Sequence, residues 1–113
     1  MKRDDSVFLK HIRDSAVRIE KYIEGFDYNE FSENELVQDA VIRQLEIIGE
    51  AVKKISPYLK VLYSEIPWKD IAGMRDKLIH DYFGVDIETV WLTAFNDIPE
   101  IYKKIISIIN NIS

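Results

Sequence analysis

Apolar residues recur along this chain at steps of three and four, the period of a helix with one buried side. The first such run is Phe8, Ile12, Ala16, Ile19, Ile23 and Phe26, with Lys10, Arg13, Arg18, Glu20 and Lys21 between them. It predicts a helix from about Asp5 to Glu24. Asp4 or Asp5 is placed to cap its first amides, and Gly25 suits the left-handed position after its end. A polar, aromatic-spotted connector, Asp27 to Asn34, follows. The second run is Val37, Val41, Leu45, Ile48, Val52 and Ile55, widened by Leu36, Ala40 and Ala51. Gly49 interrupts it, at a cost of about 1 kcal/mol in helix propensity relative to Ala. A glycine kept at that cost marks the close approach of another backbone. Pro57 ends the second helix near Ile55.

Tyr58 to Ser64 reads as a short helical piece. Pro67 fits the first turn of a further helix, whose inward face is Trp68, Ile71, Met74 or Arg75, Leu78 and Tyr82. Gly84 terminates that helix and Asp86 caps the last one. There, Ile87, Val90, Trp91, Ala94, Ile98, Ile101, Ile105, Ile108 and Ile112 keep the helical period almost to the C-terminus. Pro99 within this run predicts a kink or a break. The pattern as a whole predicts an all-α protein, a compact antiparallel bundle of four to five helices forming one domain over residues 1–113. Residues 101–109 and the second helix are apolar over more than a narrow stripe. That width suits either a central core helix or a homodimer.

Composition narrows the function. The chain has 113 residues, no cysteine and a formal net charge of −5. Without cysteine there are no disulfides, thiol nucleophiles or zinc–thiolate sites. An acidic chain is ill suited to a general grip on nucleic-acid backbone, which needs clustered positive charge, although a small basic site remains compatible with it. No apolar run approaches the ~18 residues of a membrane span, and the N-terminus lacks the apolar core of a secretory signal. The expectation is a cytoplasmic protein.

Candidate chemistry is sparse. No glycine-rich phosphate loop occurs, and the two histidines, His11 and His80, do not stand at metal-binding spacing. His11, between Lys10 and Arg13, reads as a surface or boundary residue without a chemical role. Glu46 and Glu50, one helical turn apart, form either a carboxylate pair or a solvated helix edge. Polar chemistry concentrates instead in Arg75, Asp76, His80 and Tyr82. A histidine can exchange the proton of a 2′-hydroxyl near neutral pH, and an arginine fork stabilises charge on phosphate oxygens. On an ideal helix, however, Arg75 and His80 point about 140° apart, whereas Tyr82 returns within about 20° of Arg75. One regular helix therefore cannot aim both at one atom. Salt bridges or caps would account for the same spacing.

The Arg-x4-His-x-Tyr run from Arg75 to Tyr82 resembles the signature of HEPN domains, specifically the HepT-like family. The likeness extends to Gln38–Ala51 on the second helix, to Ile66-Pro67-Trp68, Gly73-Met74-Arg75, Tyr82-Phe83-Gly84-Val85-Asp86 and Val90-Trp91, all in the family's order. It covers most of the chain, up to about Pro99. The resemblance implies a HEPN-like all-α homodimer with the motifs of both copies facing one cleft, which would resolve the 140° problem. It implies a toxin ribonuclease that cleaves RNA without a metal or other cofactor. It also implies a toxin–antitoxin partner, an MntA-like minimal nucleotidyltransferase that transfers AMP to the motif tyrosine, here Tyr82.

In that reading Arg75 binds and polarises the phosphate and His80 is the general acid or base. Asp76 stands where many relatives carry Asn, and Asp81 where Gly is frequent, so this site is the more acidic form. Asp39, Arg43, Glu46 and Glu50 of the second helix are the cleft neighbours. The alternative is a non-catalytic HEPN subunit that partners the transferase or presents substrate to it. A plain helical dimer without cleft chemistry is the third.

Overall fold

Helix α1 (Lys2–Ile23) turns one side inward along its whole length: Leu9, Ile12, Ala16, Ile19 and Ile23 are all buried, at alternating steps of three and four. The computed structural model describes residues 2–74, 76 and 86–112. Among these, the other helices are α2 (Tyr28–Ser32), α3 (Glu35–Lys54), α4 (Pro57–Leu62), α5 (Trp68–Ala72), α6 (Ile87–Leu92) and α7 (Ile98–Ile112). A π turn, Thr93–Asp97, joins α6 to α7 in one continuous helical run. The described part thus has three long helical runs and three short helices, six where the sequence pattern predicts four to five. Their buried side chains form one core.

Helix α1 is the middle layer, packing on α3 along one side and on α7 along another. It runs antiparallel to α3, because its start lies beside the end of α3. There Asp5 Oδ1 accepts the Ser56 amide at 2.8 Å, and the Ser56 hydroxyl donates to Asp5 Oδ2 at 2.6 Å. Asp5 therefore does not cap α1, as the sequence pattern suggested. The helix begins ahead of it, at Lys2, and Asp5, only 3% exposed, clips α1 to the α3–α4 junction. Ser56 also accepts the Leu59 amide and so caps α4, with Pro57 in its first turn.

The other end of the α1–α3 pair is closed by a turn. Gly25 takes φ +81°, a conformation that a side chain would resist. The connector after it is not wholly irregular. Asp27 and Glu30 exchange bonds in a capping box, and α2 buries Phe31 completely. The Gln38 side-chain amide, itself buried, donates to the Phe31 carbonyl at 2.8 Å.

Gly49 behaves as its position predicted. A Cβ built there would lie 3.4 Å from the Ala72 carbonyl oxygen and 3.6 Å from that of Ile71, so α5 rests directly on the backbone of α3. Trp68, Ile71 and Met74 are buried, as expected of that helix's inward face. The helix expected to continue from Pro67 is shorter, however: α5 ends at Ala72 with Gly73 as its cap, and Pro67 precedes its first turn. Leu78 and Gly84 lie outside the described residues.

Pro99 causes no break. In a regular helix its ring would collide with the Phe95 carbonyl. Here the Ile98 amide reaches back five residues to the Thr93 carbonyl, and the wider turn accommodates the proline. The wide apolar face of α7 is largely covered within the chain, with Ile98, Ile101, Ile105, Ile108 and Ile109 buried. No helix among the described residues is long and apolar enough to cross a membrane.

Two substitutions test these joints by urea unfolding. Asp5→Ala should cost about 2–3 kcal/mol, since it removes two bonds to a buried charged group and leaves the Ser56 amide unpaired. Gly49→Ala should stay within about 1 kcal/mol of wild type, because gained helix propensity offsets a tight contact. Gly49→Leu, which must push α5 away, should cost about 1–3 kcal/mol.

Candidate functional site

Helix α3 is capped by Asn34, whose side-chain oxygen accepts the Val37 amide at 3.0 Å. Its core side is Val41, Leu45, Ile48 and Val52, none with any exposure. Steps of four, three and four put Asp39, Arg43, Glu46 and Glu50 together on the opposite side. Asp39, Arg43 and Glu50 are exposed there and Glu46 is partly covered. Arg43 Nη1 lies 3.6 Å from Glu46 Oε1, and Lys53 Nζ lies 4.0 Å from Glu50 Oε2. Exposed pairs of this kind add little stability, so their arrangement matters more for what they present to solvent.

Three of these four residues meet α1 across a groove of about 300 Å³. Arg43, Glu46 and Glu50, with Ile47, Ala51 and Lys54, form the α3 side, and Phe8 and His11 form the α1 side. Asp39 does not line it. The Phe8 and His11 rings lie 6.3 Å apart at 42°, and Lys54 Nζ sits 5.9 Å from the Phe8 ring centre. His11 is exposed, in keeping with the surface position read from the sequence, and its imidazole lines the same groove as the α3 stripe. Helical spacing on α1 alone holds no sign of this, because the groove exists only once α1 packs antiparallel on α3.

The other expected site residues divide. Asp76 is helical and exposed. Arg75, His80, Asp81 and Tyr82 lie outside the described residues. The chain enters their segment from a fixed point: α5 rests on Gly49, and the Trp68 indole donates to the Tyr63 carbonyl at 3.0 Å. It leaves the segment at Asp86, which caps α6 as expected by accepting the Thr89 amide at 3.1 Å and the Thr89 hydroxyl at 2.8 Å. These bonds, the hydroxyl's first, favour the charged carboxylate and hold Asp86 below the ordinary carboxylate range. No three metal-ligating side chains converge among the described residues.

Residues 12–108 match the family described as Ribonuclease HepT-like. The chain belongs to the HepT-like ribonuclease family. A Methanocaldococcus jannaschii protein named "Putative RNase" is 50% identical over 111 residues, which cover 98% of this chain and 96% of the relative. A second of that name from Caldanaerobacter subterraneus is 41% identical over 87% of this chain and 88% of its own length. The "Probable ribonuclease HepT" of Thermococcus cleftensis is 45% identical over 92% of this chain and 94% of its own. No solved structure matches. The HepT-like match takes in the α3 stripe and the whole Arg75–Tyr82 run, and it begins one residue after His11.

The Asp86 cap gives a pH test. Its carboxyl is depressed in the folded chain, so its stabilisation is present above the unfolded-state value and is lost as pH falls through the lower folded one. Asp86→Ala should therefore lower the melting temperature at pH 7. The gap to wild type should close as pH is taken down through the acid range, when both are followed by circular dichroism.

Proposed function

We propose that this chain is a toxin ribonuclease whose reaction centre is built from Arg75 and His80. The observation that carries the reading is the HepT-like match over residues 12–108, with the Arg-x4-His-x-Tyr run inside it. RNA is a substrate that such a pair can cleave unaided. His80 removes the proton from a 2′-hydroxyl, the 2′-oxygen attacks the adjacent phosphorus, and the bond to the 5′-oxygen breaks. The products are a 2′,3′-cyclic phosphate and a 5′-hydroxyl, whose oxygen takes its proton from a histidine in the protonated state. Arg75 holds the phosphate oxygens as negative charge grows on the five-coordinate phosphorus.

Two copies suit this chemistry better than one. On an ideal helix Arg75 and His80 would point apart, and one cleft needs both a proton acceptor and a proton donor. A homodimer supplies two motifs to one cleft, with Asp76, Asp39, Arg43, Glu46 and Glu50 as its surroundings. The overall charge of −5 is then no obstacle, because the reaction asks for local rather than global positive charge.

The partner in this reading is a minimal nucleotidyltransferase of the MntA type, acting as antitoxin. The Tyr82 hydroxyl attacks the α-phosphorus of ATP, pyrophosphate leaves, and AMP remains on the tyrosine. The added phosphate carries charge and bulk to a tyrosine two residues after His80 and seven after Arg75, where it would repel an RNA backbone.

The test uses purified protein on cellular RNA. Arg75→Ala and His80→Ala should each reduce cleavage by about a hundredfold or more. Cleavage by both variants at the wild-type rate overturns the assignment. Intact mass and peptide mapping after co-expression with the transferase should place adenylate on Tyr82. Stable co-purification without cleavage by the wild type would instead support the non-catalytic subunit.

A further inference from the structure

The groove between α1 and α3 combines three kinds of surface. Its α1 side is aromatic, and because the Lys54 ammonium lies over Phe8, the open ring is that of His11. Its α3 side carries Arg43, Lys54, Glu46 and Glu50, whose formal charges sum to zero. A bare phosphate gains nothing net in such surroundings, since two carboxylates oppose the two cations. A group that offers hydrogen-bond donors beside an aromatic face gains from both.

The two carboxylates are not equivalent. Glu46 is partly covered and lies against the Arg43 guanidinium. Glu50 is 60% exposed, and its contact with Lys53 is at 4.0 Å, too long for a hydrogen bond. It is the acceptor that can turn towards a ligand stacked on His11. An ionised carboxylate accepts two parallel N–H bonds. Among the four RNA bases, only guanine offers two adjacent donors on its Watson–Crick edge, N1–H and the 2-amino group. Adenine and cytosine set an acceptor nitrogen beside their amino group, and uracil flanks its N–H with two carbonyls. The groove's 300 Å³ is at the small end of ligand sites, the size for one base rather than two. Unpaired bases stacked on an aromatic or imidazole ring and read along this edge are the usual target of sequence-specific RNA recognition.

We infer that this groove is a guanine-selective base subsite, in which the base stacks on His11 and Glu50 reads its N1–H and 2-amino group. Lys54 and Arg43 stand at its border for the flanking phosphates. Its consequence for cleavage, a preference for RNA with an unpaired guanosine near the scissile bond, rests on the ribonuclease reading above. The binding site itself does not.

The experiment follows the imidazole C–H resonances of the full-length protein by NMR during titration with GMP, AMP, CMP and UMP. The chain has two histidines, and a His11→Asn variant identifies which signal is His11. GMP should move the His11 signal saturably and at least about fivefold more tightly than the other three, the low end of what a bidentate pair discriminates. Glu50→Gln should abolish that preference with the melting temperature unchanged. A His11 signal that GMP does not move, that all four nucleotides move alike, or whose preference survives in Glu50→Gln overturns the proposal. RNA cleavage measured on the same preparations separates the two ideas. Guanine selectivity without cleavage leaves this site standing and removes the ribonuclease reading. Cleavage with a silent His11 does the reverse.

Discussion

The seam between α1 and α3 governs the rest of this molecule, because both sides of α3 take their meaning from it. Leu9, Ile12 and Ile19 on one helix and Val41, Leu45, Ile48 and Val52 on the other have no solvent exposure. Each such side chain gains roughly 1.5–3 kcal/mol from burial, and a slip along the seam would forfeit that gain for several residues together. Polar fastenings hold the register at either end. Asp5 clips α1 to Ser56 at one end, and Gly25 with the Asp27–Glu30 capping box turns the chain at the other. Once that register is set, His11 must stand opposite Glu50 and its neighbours, and Gly49 must face α5.

Period and punctuation made much of this legible in the sequence. The three long helical runs follow from apolar spacing, which a helix buried on one side cannot hide. Gly25, Gly49 and Asp86 were readable because each satisfies a backbone need that few residues meet. What escaped reading depends on partners distant in the chain. Asp5 looked like a cap because Asp near a helix start usually is one, and only Ser56, 51 residues on, makes it a clip. The π turn was half visible. Pro99 announced a disturbance, but a packed helix can absorb a proline by widening one turn instead of breaking.

The site was legible to a different degree. The α3 stripe could be drawn on a helical wheel, and three of its four members do share a groove. Asp39 falls outside, being a turn further from the place where α1 supplies a second wall. His11 was passed over because a lone exposed histidine between two cations carries no local signal. Its place in the groove is relational, set by an antiparallel neighbour. Composition has the same limit: a net charge of −5 is a property of the whole surface, while the groove is locally balanced.

Gly49 and Glu50 are consecutive, and their adjacency couples the two faces of α3. Successive helical residues point about 100° apart, so a single turn touches α5 with one residue and borders the groove with the next. Helix α5 delivers the chain to Met74 and thus to the segment that begins with Arg75. A helix turn is stiff relative to the side chains around it, and its two neighbours cannot shift independently without straining the seam. The lack of a side chain at residue 49 therefore sets how closely α5 rests on the turn that carries the carboxylate at residue 50. If the groove holds a base, one turn of α3 carries both the carboxylate that reads it and the contact that seats α5, which gives a physical reason for a glycine to stand there despite its cost to the helix.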